Sequence, residues 1–392
     1  MASTLVINPG STSKKYALYE NGALMYSMYF ERTGDGFGIC REKNKEQQKC
    51  ETIEPHVYKK ALEYFVAQAV ADEVIKSAKD IDAVGVRIVA PGTPFTKHQM
   101  LTDAYLALLD KAKDVAPLHA PAILDEIYAA KALVSHAALY GISDSAFHTS
   151  MPDHRRKIGI PRKDVNDYDI NRFGYHGLSM SSIARRSESF FGVAPDRMIV
   201  CHIGGGISVT ALHYQESVDT SMGYSPASGV MMGSRVGMFD ADALVALMTK
   251  KGIRDIEALP QYLNKESGFM GLVGFSDLRL VLNKFTEGDE CATQAMEMFR
   301  YQLQRLIGGH YAILGGLDAI VLTGTASVRN SFLRGYLLEG LGSLGVLLDE
   351  ERNNELIGKE GMIHSERGDV SVGVMKNDEM GEIARQVDLL RK

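Results

Sequence analysis

An arginine stands inside an otherwise apolar run, Val84-Gly85-Val86-Arg87-Ile88-Val89. A charge in such a run is costly unless it leaves the strand at an end or meets an anion. Both readings fit: an edge-strand arginine turned to water, or an anion ligand. Two turns have what an anion needs. Near the amino terminus, Leu5-Val6-Ile7-Asn8 runs into Pro9-Gly10-Ser11-Thr12-Ser13-Lys14-Lys15, which gathers hydroxyls, open backbone amides and positive charge at one place. Taken alone it is also an ordinary polar hairpin turn, since Gly, Pro and Ser are the usual punctuation. An echo of it lies about half a chain later, where Ile199-Val200-Cys201-His202-Ile203 enters Gly204-Gly205-Gly206 and leaves through Ile207-Ser208-Val209. Further polar groups gather at the ends of apolar runs, where α/β sites lie: Asp144 and His148 after Ile142, and the dense stretch Phe173-Gly174-Tyr175-His176-Gly177. Residues 222–237 place four glycines around Arg235, a composition too glycine-rich for regular structure and suited to a loop built around a ligand.

The elements that must position these groups follow from periodicity. A hairpin starts almost at the first residue, a strand follows over 24–30, and 34–49 reads as a polar hairpin or insertion. From Val57 the residues Ala61, Leu62, Phe65, Val66, Ala69 and Val70 share one helical face. The pattern then gives a strand over 82–89, a helix over 103–112, a break at Pro117 and Pro121, and a long helix from 122 to about 140 that Gly141 ends, with a strand over 142–148. The second half repeats the scheme: a helix over 181–191, a hairpin over 198–214, a strong helix marked by Phe299, Leu303, Leu306 and Ile307, and a strand over 319–323 that enters Gly324-Thr325-Ala326. A hairpin near 370–374 and an amphipathic helix carrying Ile383, Val387 and Leu390 close the chain. A three-strand start followed by alternating helices and strands, done twice, predicts an α/β chain of two related domains with a mixed sheet in each.

Composition agrees with that scheme. A chain of 392 residues exceeds one typical core. Hydrophobic residues at 45% and charged residues at 23% exclude disorder, and no apolar run approaches the roughly 18 residues of a membrane span. A net charge of −6 argues against non-specific nucleic-acid binding while leaving room for a local basic pocket. Met-Ala-Ser-Thr followed at once by a strand shows no secretion signal, so a cytoplasmic protein is expected. Cys40, Cys50, Cys201 and Cys291 are scattered with no C-x-x-C pair, which predicts free thiols, Cys201 being a buried structural thiol within its strand.

Seven segments, in order along nearly the whole chain, resemble the acetate kinase family, within the larger group of actin-like and sugar-kinase-like phosphotransferases. They are Asn8-Pro9-Gly10-Ser11-Thr12-Ser13, the run around Arg87, Ala116-Pro117-Leu118-His119, residues 143–152, Phe173-Gly174-Tyr175-His176-Gly177, residues 219–226, and Gly233-Ser234-Arg235. The resemblance implies two duplicated ribonuclease H-like domains, the actin-like ATPase fold, flanking a central cleft. It implies an N-terminal acyl-substrate domain over 1–147, completed by a C-terminal helix over 376–392, and a phosphoryl-donor domain over 148–375. It implies reversible transfer of a phosphoryl group between ATP and acetate, with Mg²⁺ or Mn²⁺, in a cytoplasmic homodimer with no nucleic-acid or membrane partner.

The family's residues carry over position by position. Arg87, Asp144, His176 and Arg235 match catalytic positions, and the two guanidinium forks suit an acyl carboxylate and a phosphoryl group in transit. Val89, Leu118, His119, Tyr175 and Pro226 match the acyl-substrate positions. Ser11, Ser13, Lys15, His202, Gly204, Gly205, Gly206, Asp277, Arg279, Gly324 and Thr325 match phosphate and nucleotide positions. Asn8 and an acid near the chain end match metal positions; of Asp378 and Glu379, the reading selects Glu379. A hard Mg²⁺ suits such sparse oxygen ligands together with phosphate.

The chain also departs from the family pattern. Val86, Ala90 and Pro91 replace three residues of the segment around Arg87, Gly205 stands where asparagine is usual, and Tyr175 where phenylalanine is common. The added hydroxyl predicts a short acid, acetate before propionate, with a butyrate kinase as an alternative. After residue 323 the family's glycine-rich nucleotide turn is missing, and Thr325-Ala326-Ser327-Val328-Arg329 follows instead. The donor therefore divides between ATP and pyrophosphate, with Arg329 either a ligand for a compact donor or a surface residue. A non-catalytic ligand-binding relative is the reading from another class, opposed by the presence of Asn8, Arg87, Asp144, His176 and Arg235.

Overall fold

The computed structural model describes residues 3–10, 13–33, 36–43, 46–47, 50–255 and 258–392. Ser11, assigned to phosphate, lies outside them. The chain divides into two units, one formed by 1–146 with 378–392, the other by 147–377.

The first unit is built on β1 (Ser3–Pro9), whose Leu5, Val6 and Ile7 are wholly buried. A strand hydrophobic at consecutive positions is covered on both faces, as in the parallel part of a sheet. On one side β1 pairs antiparallel with β2 (Ser13–Glu20), which pairs with β3 (Ala23–Thr33) and then β4 (Gly36–Lys43). Two short strands, β5 (Glu46–Gln47) and β6 (Glu51–Ile53), pair with β4. On its other side β1 runs parallel to β7 (Ala83–Ile88), and β7 to β9 (Ala138–Ser143), with β8 (Gln99–Met100) antiparallel at the edge. Arg87 therefore lies in a central strand and not at an edge. The helix Glu379–Leu390 packs on β1 and β7, where a Cβ placed on Gly85 would lie 2.6 Å from Val387 and 2.8 Å from Ile383.

The second unit repeats the order. β10 (Arg197–Ile203) pairs antiparallel with β11 (Ile207–His213) and that with β12 (Glu216–Thr220). β10 also runs parallel to β13 (Ala319–Thr323), β13 to β15 (Ser371–Val374), and β14 (Gly361–Met362) is the antiparallel edge. The sequence β3-β2-β1-β7-β9-β8 thus corresponds to β12-β11-β10-β13-β15-β14, down to a two-residue strand at each far edge. Met180 and Ile183 of the helix Gly177–Phe191 join Met198, Val200, Leu212 and Val321 of this sheet in one core. Each such side chain contributes about 1.5–3 kcal/mol of burial free energy.

Two expectations fail. The helix after Pro121 is Ala120–Leu133, and Gly141 lies within β9 instead of ending a helix. Residues 139–143 are an uninterrupted buried run, which periodicity cannot separate from a buried helix. Cys40 and Cys50 are joined in a disulfide with Cα atoms 4.2 Å apart, not free thiols. Their spacing showed no motif because strand register brings them together: β4 pairs with β6 as Ile39 with Glu51, so the next positions face each other. The pairing departs from the reduced thiols a cytoplasmic location maintains. Cys201 and Cys291 are free, and burial pushes the Cys201 thiol up to about 12, an inert group.

Candidate active site

Each unit carries its polar residues at the carboxyl ends of its parallel strands. In the first unit Arg87 is the centre. Its Nη2 donates to Asp144 Oδ2 at 2.9 Å, and its Nη1 to Asn8 Oδ1 at 3.2 Å and Glu379 Oε2 at 3.4 Å. Asn8 Nδ2 donates to the same Glu379 oxygen at 3.0 Å. Asn8 ends β1, Arg87 is near the end of β7, Asp144 follows β9, and Glu379 opens the last helix, so parallel pairing of three strands delivers three of the four groups. Asp144 is fixed further by its own amide, which donates to Ile88 O at 2.9 Å. Burial opposes the charge on Arg87, but Asp144 and Glu379 outweigh it and raise its pKa above the ordinary arginine value. Asp378 has a different place: its carboxylate caps the helix, accepting from the Gly381 amide at 2.8 Å.

The same unit separates its two adjacent lysines. Lys14 Nζ is 2.8 Å from Glu126 Oε1, and the Tyr16 hydroxyl donates to the other oxygen of Glu126 at 2.8 Å. Lys15 stands opposite Asn8 across the hairpin, with its Nζ 5.4 Å from the centre of the Tyr29 ring. Ser13 accepts the Gly10 amide at its carbonyl, 2.7 Å away. Val89 follows β7 and is buried, while Leu118 and His119 precede the helix Ala120–Leu133 and are half-buried.

In the second unit the centre is the β10–β11 turn. A Cβ placed on Gly206 would lie 2.8 Å from His176 Nε2 and 3.8 Å from Arg235 Nη1, so an imidazole and a guanidinium converge on a glycine that leaves them room. Gly204 faces His202 Nε2 and the Thr325 amide, 3.5 and 3.7 Å from where its Cβ would be. The His176 ring stacks on that of His202, with centroids 4.1 Å apart and planes at 28°, and its Nδ1 lies 2.9 Å from Ser208 Oγ. His176 holds a left-handed backbone, φ 60° and ψ 21°, as it enters the helix Gly177–Phe191. Such a conformation in a residue other than glycine costs about 1 kcal/mol or more and points to a function. Arg235 donates to Pro226 O at 3.4 Å.

Tyr175 is wholly buried and its hydroxyl donates to Tyr224 O at 2.6 Å, tying down the segment that carries Pro226. His148 turns out to be a strut: its ring nitrogens lie 2.8 Å from Ser217 Oγ and 2.8 Å from Tyr175 O. Asp277 caps the helix Leu278–Thr286, and its carboxylate takes the guanidinium of Arg279. β13 passes through the single residue Gly324 into the helix Thr325–Arg329, where Thr325 is exposed. Ser208, read from the sequence only as part of the glycine-rich turn that holds the donor, gains an individual partner in His176. Its signal was an inward-facing hydroxyl in an apolar strand.

The acetokinase family model matches residues 3–385. The chain belongs to the acetokinase family. It is 35% identical to an acetate kinase of Caldanaerobacter subterraneus subsp. tengcongensis, over 99% of this chain and 98% of the relative. Its structure resembles a Porphyromonas gingivalis acetate kinase, with TM-score 0.86, 30% identity and all of both chains covered. It also resembles a propionate kinase from Francisella tularensis subsp. tularensis, with TM-score 0.88, 26% identity, and 98% and 99% of the two chains covered. The protein is thus a phosphotransferase with a carboxyl group as acceptor, on an α/β fold with two mixed sheets. Among the described residues no helix is long and apolar enough to cross a membrane.

Proposed function

We propose that this acetokinase-family protein transfers a phosphoryl group reversibly between ATP and acetate, giving acetyl phosphate by direct in-line displacement. The observation that carries the phosphoryl chemistry is the convergence of His176 Nε2 and Arg235 Nη1 on Gly206. Donors fixed in advance, where charge develops on transferring oxygens, lower the barrier without reorganising at the moment of reaction. An acetate oxygen forms a bond to phosphorus while the bond from phosphorus to the donor's bridging oxygen breaks, the electron pair leaving with the donor. The first unit takes the acceptor, Arg87 binding the carboxylate with Val89 and Leu118 for its methyl group. The second takes the donor on Gly204, Gly205, Gly206 and Gly324.

Asn8, Asp144 and Glu379 present an oxygen-only set, and no cluster of three or more His, Cys, Asp or Glu suited to a metal occurs among the described residues. The oxygen set fits Mg²⁺ held by few protein oxygens alongside phosphate. Bound there, the ion would neutralise charge on the phosphoryl oxygens.

Pyrophosphate is a second reading for the donor. It is favoured by the one-residue link at Gly324 and by the mutual pairing of Asp277 with Arg279, two residues assigned to the nucleotide.

Trapping the acyl phosphate with hydroxylamine tests all of this. Acetate, propionate and butyrate are offered against ATP, GTP and pyrophosphate, with acetate and ATP expected to give the fastest product. Arg87→Ala should lower turnover about 10²–10³-fold. The absence of product with every pairing removes the reading, and product with pyrophosphate alone replaces the donor.

A further inference from the structure

We propose that Ser208 is a positioning residue that holds His176 in the tautomer bearing its proton on Nε2, so that a neutral imidazole donates to the transferring phosphoryl group. The argument begins with a buried hydroxyl. Ser208 is wholly buried at the start of β11, and among the described residues its Oγ has one partner, His176 Nδ1, at 2.9 Å. A buried O–H needs an acceptor, and leaving it without one costs about 1–3 kcal/mol. The hydroxyl proton must therefore point at Nδ1. That nitrogen is then bare, and the ring's proton sits on Nε2.

The ring's orientation has the same origin. Ser208 pairs in register with His202 across β10 and β11, and neighbours in register project to the same face of the sheet. One contributes a hydrogen bond to His176 and the other a stacked ring at 4.1 Å. Two attachments fix both the plane of the imidazole and its rotation within that plane. The left-handed backbone of His176 is held as well, its carbonyl accepting the Met180 amide at 2.9 Å as the helix starts. Nε2 is thereby brought against Gly206, beside Arg235 Nη1. An imidazole held this way donates a hydrogen bond without first taking up a proton. In the sequence Ser208 is one more small residue after a glycine run, and only the fold brings the His176 ring to it.

The catalytic consequence rests on the phosphotransfer reading above, but the tautomer does not, and the two can fail separately. Two-bond ¹H–¹⁵N correlation spectra of protein labelled in its 11 histidine rings read the tautomer directly, with His176→Asn assigning the signal. The wild-type ring should show a bare Nδ1 and a protonated Nε2. In Ser208→Ala the two shifts should move toward averaged values, with kcat lower by about 10–100-fold and KM for acetate little changed. Ser208→Thr, which restores a hydroxyl, should recover both the shifts and the rate. A wild-type ring protonated on Nδ1 overturns the proposal, whether or not the alanine variant folds. So does a fall in kcat with the tautomer unaltered, which would make Ser208 merely structural. A fixed tautomer in a protein that forms no acyl phosphate would overturn the kinase reading alone.

Discussion

At the scale of single residues, Tyr175 shows how a side chain changes meaning once its partner is visible. Read from the sequence, its hydroxyl is a polar obstacle to longer acids. In the structure the same hydroxyl donates to Tyr224 O and anchors the backbone two residues before Pro226. If Pro226 lines the acyl pocket, as the family resemblance implies, selectivity depends on a tether as well as on space. Tyr175→Phe should cost about 1 kcal/mol of stability in denaturant unfolding, the price of one buried hydrogen bond. Its freed segment should also raise the propionate-to-acetate ratio of kcat/KM in the hydroxamate assay. An unchanged ratio would assign selectivity elsewhere. Arg87 makes a related point, because its fork meets Asn8, Asp144 and Glu379 at once, which the single amine of lysine cannot reproduce.

Secondary elements explain which parts were legible in advance. Runs such as Leu5 to Ile7 and Ile199 to Ile203 announce buried central strands by composition alone, and of the glycines that follow the second, Gly206 leaves the room that His176 occupies. The helix at 120–133 ends earlier than its apolar pattern predicts, because β9 is as apolar as the helix before it. The Cys40–Cys50 bridge was invisible for another reason: it depends on the register between β4 and β6, a relation between segments and not a property of either. Ser208 belongs to the same class, since its role is set by where the ring of a residue 32 positions away comes to rest. Gly85, by contrast, looks like a flaw in a strand and is a packing requirement. With the helix Glu379–Leu390 only 2.6 Å from a would-be Cβ, Gly85→Ala should destabilise the protein by about 1–3 kcal/mol. Shifts in the urea midpoint measure this, and a neutral result would mean that the helix moves without penalty.

At the scale of the whole molecule, the two units share one strand order but differ in how the chain completes them. The second is continuous over 147–377, whereas the first is interrupted after Ala146 and resumes at Asp378. The returning segment brings Glu379 to Arg87 and lays Ile383 and Val387 on the sheet. A chain ending at Asn377 should consequently lose acyl phosphate formation and expose the first unit to protease. The second unit should persist as a resistant fragment, with mass spectrometry of the digest deciding the matter.

The same interruption sets an order of events during synthesis. At roughly 5–20 residues per second, a ribosome that has released Ala146 works for tens of seconds before Asp378 emerges. Through that interval the nascent sheet presents an uncovered apolar face at β1 and β7, and Arg87 is without one of its two carboxylates. The unit encoded first thus cannot complete its packing until residues 378–392 have emerged.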